Sequence, residues 1–177
     1  MSRKITPTHV LINQITIASL TESVTFSNIP QTYADLVLVI NSTLETFNTG
    51  NGKGATVIRF NSDSGSNYTH VQMSGDQNGP LSTAGTQTYV DLLISSYEDD
   101  VNPTTYIVNI FDYSQNDKHK TVLSRANLAT GNQYPRVSLN AYRWANTAAI
   151  TSMNLFSVVS GGRYNPGTTF SLYGVVA

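Results

Sequence analysis

Short runs of Val, Ile, Leu, Tyr and Phe, many alternating with Ser, Thr or Asn, recur along the chain between clusters of Gly, Asn, Asp, Ser and Pro. A period of two sends successive side chains to opposite faces of a strand, whereas an amphipathic helix needs apolar positions three and four apart. In Ile15-Thr16-Ile17 and Ser23-Val24-Thr25-Phe26 the alternation is strict, which predicts strands with one face on a core and one in water. Residues 35–40, Asp-Leu-Val-Leu-Val-Ile, form a continuous apolar run that is short for a helix and flanked by turn formers. It predicts a central strand covered on both faces. By the same signals strands are expected at 10–18, 23–26, 35–41, 55–60, 68–73, 86–94, 104–111, 120–126, 136–144, 151–157 and 169–176.

The breakers carry turn chemistry: residues 48–52 (NTGNG), 63–67 (DSGSN), 75–80 (GDQNGP) and 160–162 (SGG). Gly adopts positive φ freely and Asn and Asp tolerate it, so these types gather where a chain reverses. About ten short strands so spaced predict an all-β fold, an antiparallel β-sandwich of jelly-roll type, with a closed barrel as the alternative. No repeat of 20 to 50 residues marks a solenoid or propeller. One domain is expected over 9–177, preceded by an N-terminal arm over 1–8 that contains Pro7.

Composition narrows the partners more than the fold. Of 177 residues only 12% are charged, about half the ~25% usual in soluble domains, and Ser, Thr, Asn and Gly take their place. A formal net charge of −1 leaves no basic excess for phosphates, so neither nucleic acid nor an anionic membrane is the expected partner. The absence of cysteine excludes disulfides, thiol catalysis and zinc–thiolate sites. Arg3 and Lys4 are followed by no apolar signal-peptide segment, and no run reaches the ~18 apolar residues of a spanning helix, so synthesis in the cytoplasm without export is expected.

Candidate chemistry is sparse. His9, His70 and His119 form no HxH, HxxxH or HExxH pattern, and no GxSxG elbow supports a serine nucleophile. Asn61-Ser62-Asp63-Ser64-Gly65 resembles part of a calcium loop but lacks the distant bidentate Glu, so a hairpin turn is the plainer reading. Glu98-Asp99-Asp100 reads as a solvated loop tip. Tyr142 and Trp144 share one strand face, opposite Arg143, and that face is assigned to the core. No catalytic residue, cofactor or metal site is therefore expected.

Four stretches in order carry a resemblance: 23–30 (SVTFSNIP) with 33–39 (YADLVLV), 59–61 (RFN) leading to 65–68 (GSNY), 120–126 (KTVLSRA), and 167–174 (GTTFSLYG). Together they resemble a group of small tailed-phage virion proteins that end on a similar strand. The resemblance implies a non-enzymatic structural role in the particle. Its first form is a capsid decoration, or cement, protein that bridges major-capsid subunits, with a trimer matching the lattice threefold as the expected oligomer. The alternative is a tail, head-fibre or baseplate component that recognises host glycans, which calls for solvent-facing aromatics at loop tips, with Tyr97, Tyr113 and Tyr164 as candidates. A glycan-cleaving domain would need converging carboxylates instead. The expected interface residues are Arg3, Lys4, Pro7, Tyr97, Tyr113 and Tyr164, and the expected partners are the major capsid protein, other virion proteins or a host glycan.

Overall fold

The computed structural model describes residues 7–45, 54–93, 98, 101–128 and 136–176. Twelve strands and no helix occur among them: β1 (His9–Thr16), β2 (Ser23–Phe26), β3 (Asp35–Ser42), β4 (Thr56–Phe60), β5 (Tyr68–Asp76), β6 (Gly79–Gln87), β7 (Val90–Asp91), β8 (Thr104–Phe111), β9 (Lys120–Leu128), β10 (Arg136–Trp144), β11 (Met153–Ser157) and β12 (Thr169–Val175). All pairing is antiparallel, in one sheet ordered β1-β12-β3-β8-β9-β10-β5-β6 and a second ordered β2-β11-β4-β7.

This order explains the fold. The half-sheet β1-β12-β3-β8 lies against β2-β11-β4-β7, and the chain passes back and forth between them, which is the connectivity of a jelly roll. Two hairpins, β5-β6 and β9-β10, are inserted into that frame and both join the first sheet, widening it from four strands to eight. The expected sandwich is thus present, with its larger sheet extended well past the smaller one.

Packing follows from the alternation. Leu36, Leu38 and Ile40 of β3, Tyr106, Val108 and Ile110 of β8, and Phe170 and Leu172 of β12 point into one core shared with Val24, Phe26, Ile58, Phe60, Met153 and Leu155 of the smaller sheet. Strand β3 is central, as its apolar run predicts, between β12 and β8. The expectation that both its faces are covered needs correcting, because Val37 and Val39 are only half-buried on the outer side. Among the described residues no strand lies over that face of the larger sheet.

Two further differences have plain causes. Strand β6, GPLSTAGTQ, escapes sequence reading because its small residues carry little β propensity. It is held by a nine-residue ladder to β5 and a two-residue turn at Gln77-Asn78, with Gly79 at φ 115°. The strand expected at 86–94 is divided between the end of β6 and the two-residue β7, because the chain there crosses from one sheet to the other.

Gly174 in the closing motif has a specific reason to be glycine. A Cβ at this position would come within 2.2–2.6 Å of three ring atoms of Tyr33. Tyr33 stands at the end of a loop held by Tyr113, whose hydroxyl donates to the Pro30 carbonyl and accepts from the Tyr33 N–H (3.4 Å). Gly174→Ala is expected to cost about 2 kcal/mol through overpacking, read as a lower urea midpoint at unchanged m-value. An unchanged midpoint would show that Tyr33 can swing aside freely.

Candidate functional site

Of the six expected interface residues, Arg3, Lys4 and Tyr97 lie outside the described residues, and Pro7 is exposed. Tyr113 and Tyr164 are not at exposed loop tips: both are fully buried. Tyr113 is drawn inward by its bond to Pro30, and Tyr164 packs edge-on against Phe170 with ring centroids 5.0 Å apart. A tyrosine in a loop of a sandwich readily turns its ring into the open end of the core, which exposes less apolar surface.

The DSGSN segment is a turn whose carboxylate is fully occupied. Asp63 accepts from the Gly65 N–H (2.9 Å), from Asn67 Nδ2 (2.9 Å) and from Trp144 Nε1 (2.7 Å). Burial raises its pKa, but these hydrogen bonds together hold it below the usual carboxylate value. A cation there would have to displace three donors. Tyr142 and Trp144 face the core as expected, with Trp144 stacked near Tyr68 and Phe60. His9 and His119 are exposed, whereas His70 is buried beside Tyr142 and burial lowers its pKa.

Glu98 overturns its expected place at a solvated tip. It is only 1% exposed, and its carboxylate gathers donors from three strands: Ser42 Oγ at 2.5 Å, Thr56 N at 2.7 Å, Thr56 Oγ1 at 2.5 Å and Tyr106 Oη at 2.7 Å. Its own N–H donates to the Gly54 carbonyl at 2.9 Å. Burial pushes its pKa up against the pull of those four bonds. The arrangement ties β3, β4 and β8 together. It has no open side for a substrate.

The feature that sequence reasoning missed is a buried polar row under an exposed, largely apolar face in the extension of the larger sheet. Reading across the strands in register, the inward row Leu172, Leu38, Val108 continues as Ser124, Asn140 and Gln72. Along this row polar side chains replace the apolar core, while Tyr68, Val122, Ala126, Tyr142 and Trp144 in the neighbouring inward rows still belong to it. Asn140 Nδ2 donates to the Leu92 carbonyl (3.0 Å) and Ser124 Oγ (3.1 Å), while Gln72 Nε2 donates to Tyr142 Oη (2.8 Å) and the Asp91 carbonyl (3.3 Å). These bonds hold the 91–92 segment under the extension.

The outward rows of the same strands also carry hydrophobic residues. One runs Val71, Ala141, Leu123, Asn109, Val37, and the next Met73, Leu139, Arg125, Ile107, Val39. Val137 is 64% exposed, Val71 57% and Met73 52%, with Leu139, Leu123 and Phe111 also exposed. Two shallow grooves of about 480 and 470 Å³ run along this face. An antiparallel sheet with one face in water normally turns its polar residues outward, and contiguous exposed apolar surface marks an interaction site. Here Val71, Met73, Val137, Leu139 and Leu123 stand outward, among Thr69, Thr121, Asn109 and two arginines.

Under this extension Asp91 is pushed up to about 6 by burial, which outweighs the hydrogen bond it accepts from the Leu93 N–H (3.0 Å). Because the native state binds this proton before the unfolded chain does, the associated stability is complete below pH 3.8 and is lost as pH rises through about 6. A shift of this size corresponds to roughly 3 kcal/mol at most. Wild type is therefore expected to gain about 2 kcal/mol over Asp91→Asn between about pH 7 and about pH 4 in paired urea titrations. The paired comparison cancels His70, whose lowered pKa acts in the opposite direction. Parallel pH profiles would show that Asp91 remains solvated.

No family model matches the chain, and no curated protein or solved structure gives a significant match. Among the described residues no three His, Cys, Asp or Glu side chains are grouped to hold a metal ion.

Proposed function

We propose that the chain is a structural protein of a tailed-phage virion, a decoration protein that binds the outside of the head and bridges major-capsid subunits. The observation that carries this reading is the exposed apolar face of the eight-stranded sheet on a jelly-roll frame. Such a frame serves viral capsid and lectin domains alike, so the fold sets only the context. The motif resemblance supplies the viral setting, and the face supplies a reason for the protein to sit on another protein. Its effect would be one of mass action: by binding the assembled lattice and not dispersed subunits, it stabilises the particle.

The fibre or baseplate reading draws less support. It calls for a solvent-facing aromatic cluster, and Tyr113 and Tyr164 are inside the core. The aromatic pair on the smaller sheet, Tyr89 and Phe156, is half-buried and covered by the Arg59 guanidinium, 4.7 Å from the Phe156 ring centre.

Co-sedimentation with matching heads that lack the protein tests the proposal. Saturable binding together with a higher disruption temperature of the heads is the expected result. No binding to heads, with retention on tails or on host glycans, would replace it by the second reading.

A further inference from the structure

We infer that the outer face of β5, β10, β9 and β8 docks on a partner protein surface that is apolar and presents carboxylates to Arg125 and Arg143; this rests on the virion reading and names the chemistry of the partner. In the outward rows Arg125 stands between Leu139 and Ile107, and Arg143 between Thr69 and Thr121. Both arginines are exposed, and neither takes part in the ion pairs among the described residues. The outward positions of β5, β10, β9 and β8 carry no carboxylate, and Asp35 of β3, three strands from Arg143 at the far end of its row, accepts from the Asp112 N–H (2.8 Å). Of the other described arginines, Arg136 meets Asp76 and Arg163 meets Glu45, while Arg59 donates to the Thr88 carbonyl and covers the Phe156 ring.

The charge pattern decides between occupants. Two copies packed face to face would bring four guanidinium groups into a closing apolar interface with no acid to meet them, and burying an unpaired charge is strongly unfavourable. A planar guanidinium binds a carboxylate through two parallel hydrogen bonds, so a partner with acids at matching positions both neutralises Arg125 and Arg143 and fixes the docking register. The apolar rows then supply the contact area between these two points. The exposed apolar side chains agree with this arrangement, since the inner side of the extension is already satisfied by core packing and by the hydrogen bonds of Asn140 and Gln72.

Two methionines in the chain provide the test. Met73 lies on the proposed face and is exposed, while Met153 is buried in the core and serves as the internal control. Purified protein and intact particles are treated with dilute hydrogen peroxide, and sulfoxide at each position is followed by mass spectrometry. Met73 is expected to react at least tenfold more slowly in the particle, with Met153 slow in both. In parallel, Arg125→Glu/Arg143→Glu, checked for folding by Trp144 fluorescence, is expected to bind protein-free heads at least tenfold more weakly than wild type. Absence of the protein from the particle's protein inventory sinks the virion reading itself. Its presence there with Met73 fully reactive overturns the docking face alone. Protection of Met73 in the isolated protein that grows with concentration would make the occupant a second copy. Undiminished binding of the double variant would remove the carboxylates from the partner.

Discussion

Replacing Glu98 by Ala is expected to remove about 4 kcal/mol or more from the unfolding free energy, the largest loss of any single substitution considered for this chain. Few substitutions reach that size, and those that do share a mechanism such as the collapse of a buried polar network. Glu98 accepts from two hydroxyls of different strands, one main-chain N–H and one phenol, all sealed from water. Ala leaves these donors without acceptors, at about 1–3 kcal/mol for each that stays dry. Glu98→Gln keeps one carbonyl oxygen in place but turns an amide N–H toward donors, so about half the loss is expected from it. Urea unfolding followed by circular dichroism measures both. A loss below about 1 kcal/mol for Ala would mean that water enters and satisfies the donors.

Trp144→Ala is expected to cost about 4 kcal/mol. The indole fills the end of the core beside Phe60 and Tyr68, with ring centroids 5.6 and 6.4 Å away. It also donates to Asp63 from Nε1, so truncation opens a cavity and frees a carboxylate from one of its three donors. Trp144→Phe retains most of the volume but not the N–H, and about 2 kcal/mol is expected. The wild-type indole, the single tryptophan of the chain, should emit at short wavelength in the native state and shift red on unfolding. If Phe proved as costly as Ala, the Asp63 hydrogen bond would outweigh packing at this site.

The sandwich was legible because its jelly-roll strands announce themselves in β-branched and aromatic runs such as 35–40 and 104–111. Strand β6 was not, since its residues are small and its place is set by the β5 ladder alone. Glu98 could not be found from sequence: an acid beside two aspartates reads as solvated, and its donors Ser42, Thr56 and Tyr106 stand on three different strands, two of them more than 40 residues away. The candidate face was half-legible. For β10 the core assignment of Tyr142 and Trp144 already puts Asn140 inside and Leu139 outside, whereas alternation in β9 alone leaves open whether Leu123 or Ser124 points inward. Tertiary hydrogen bonds from Asn140 and Gln72 to the crossing segment, which hold the polar row inside, could not be read from the pattern.

The pairing of β1 with β12 also fixes how the protein answers mechanical load. His9 is registered with Val175, and the Val176 N–H donates to the Thr8 carbonyl, so the edge strand β1 and its neighbour β12 leave the sheet side by side. Tension drawn through both ends would open this ladder like a zip, one bond at a time, and a bulge at Leu11/Asn13 already interrupts it. Tension between either end and the apolar face would instead run along the strands and shear many bonds at once. A protein anchored by its sheet face therefore resists being peeled away far better than one held by its termini.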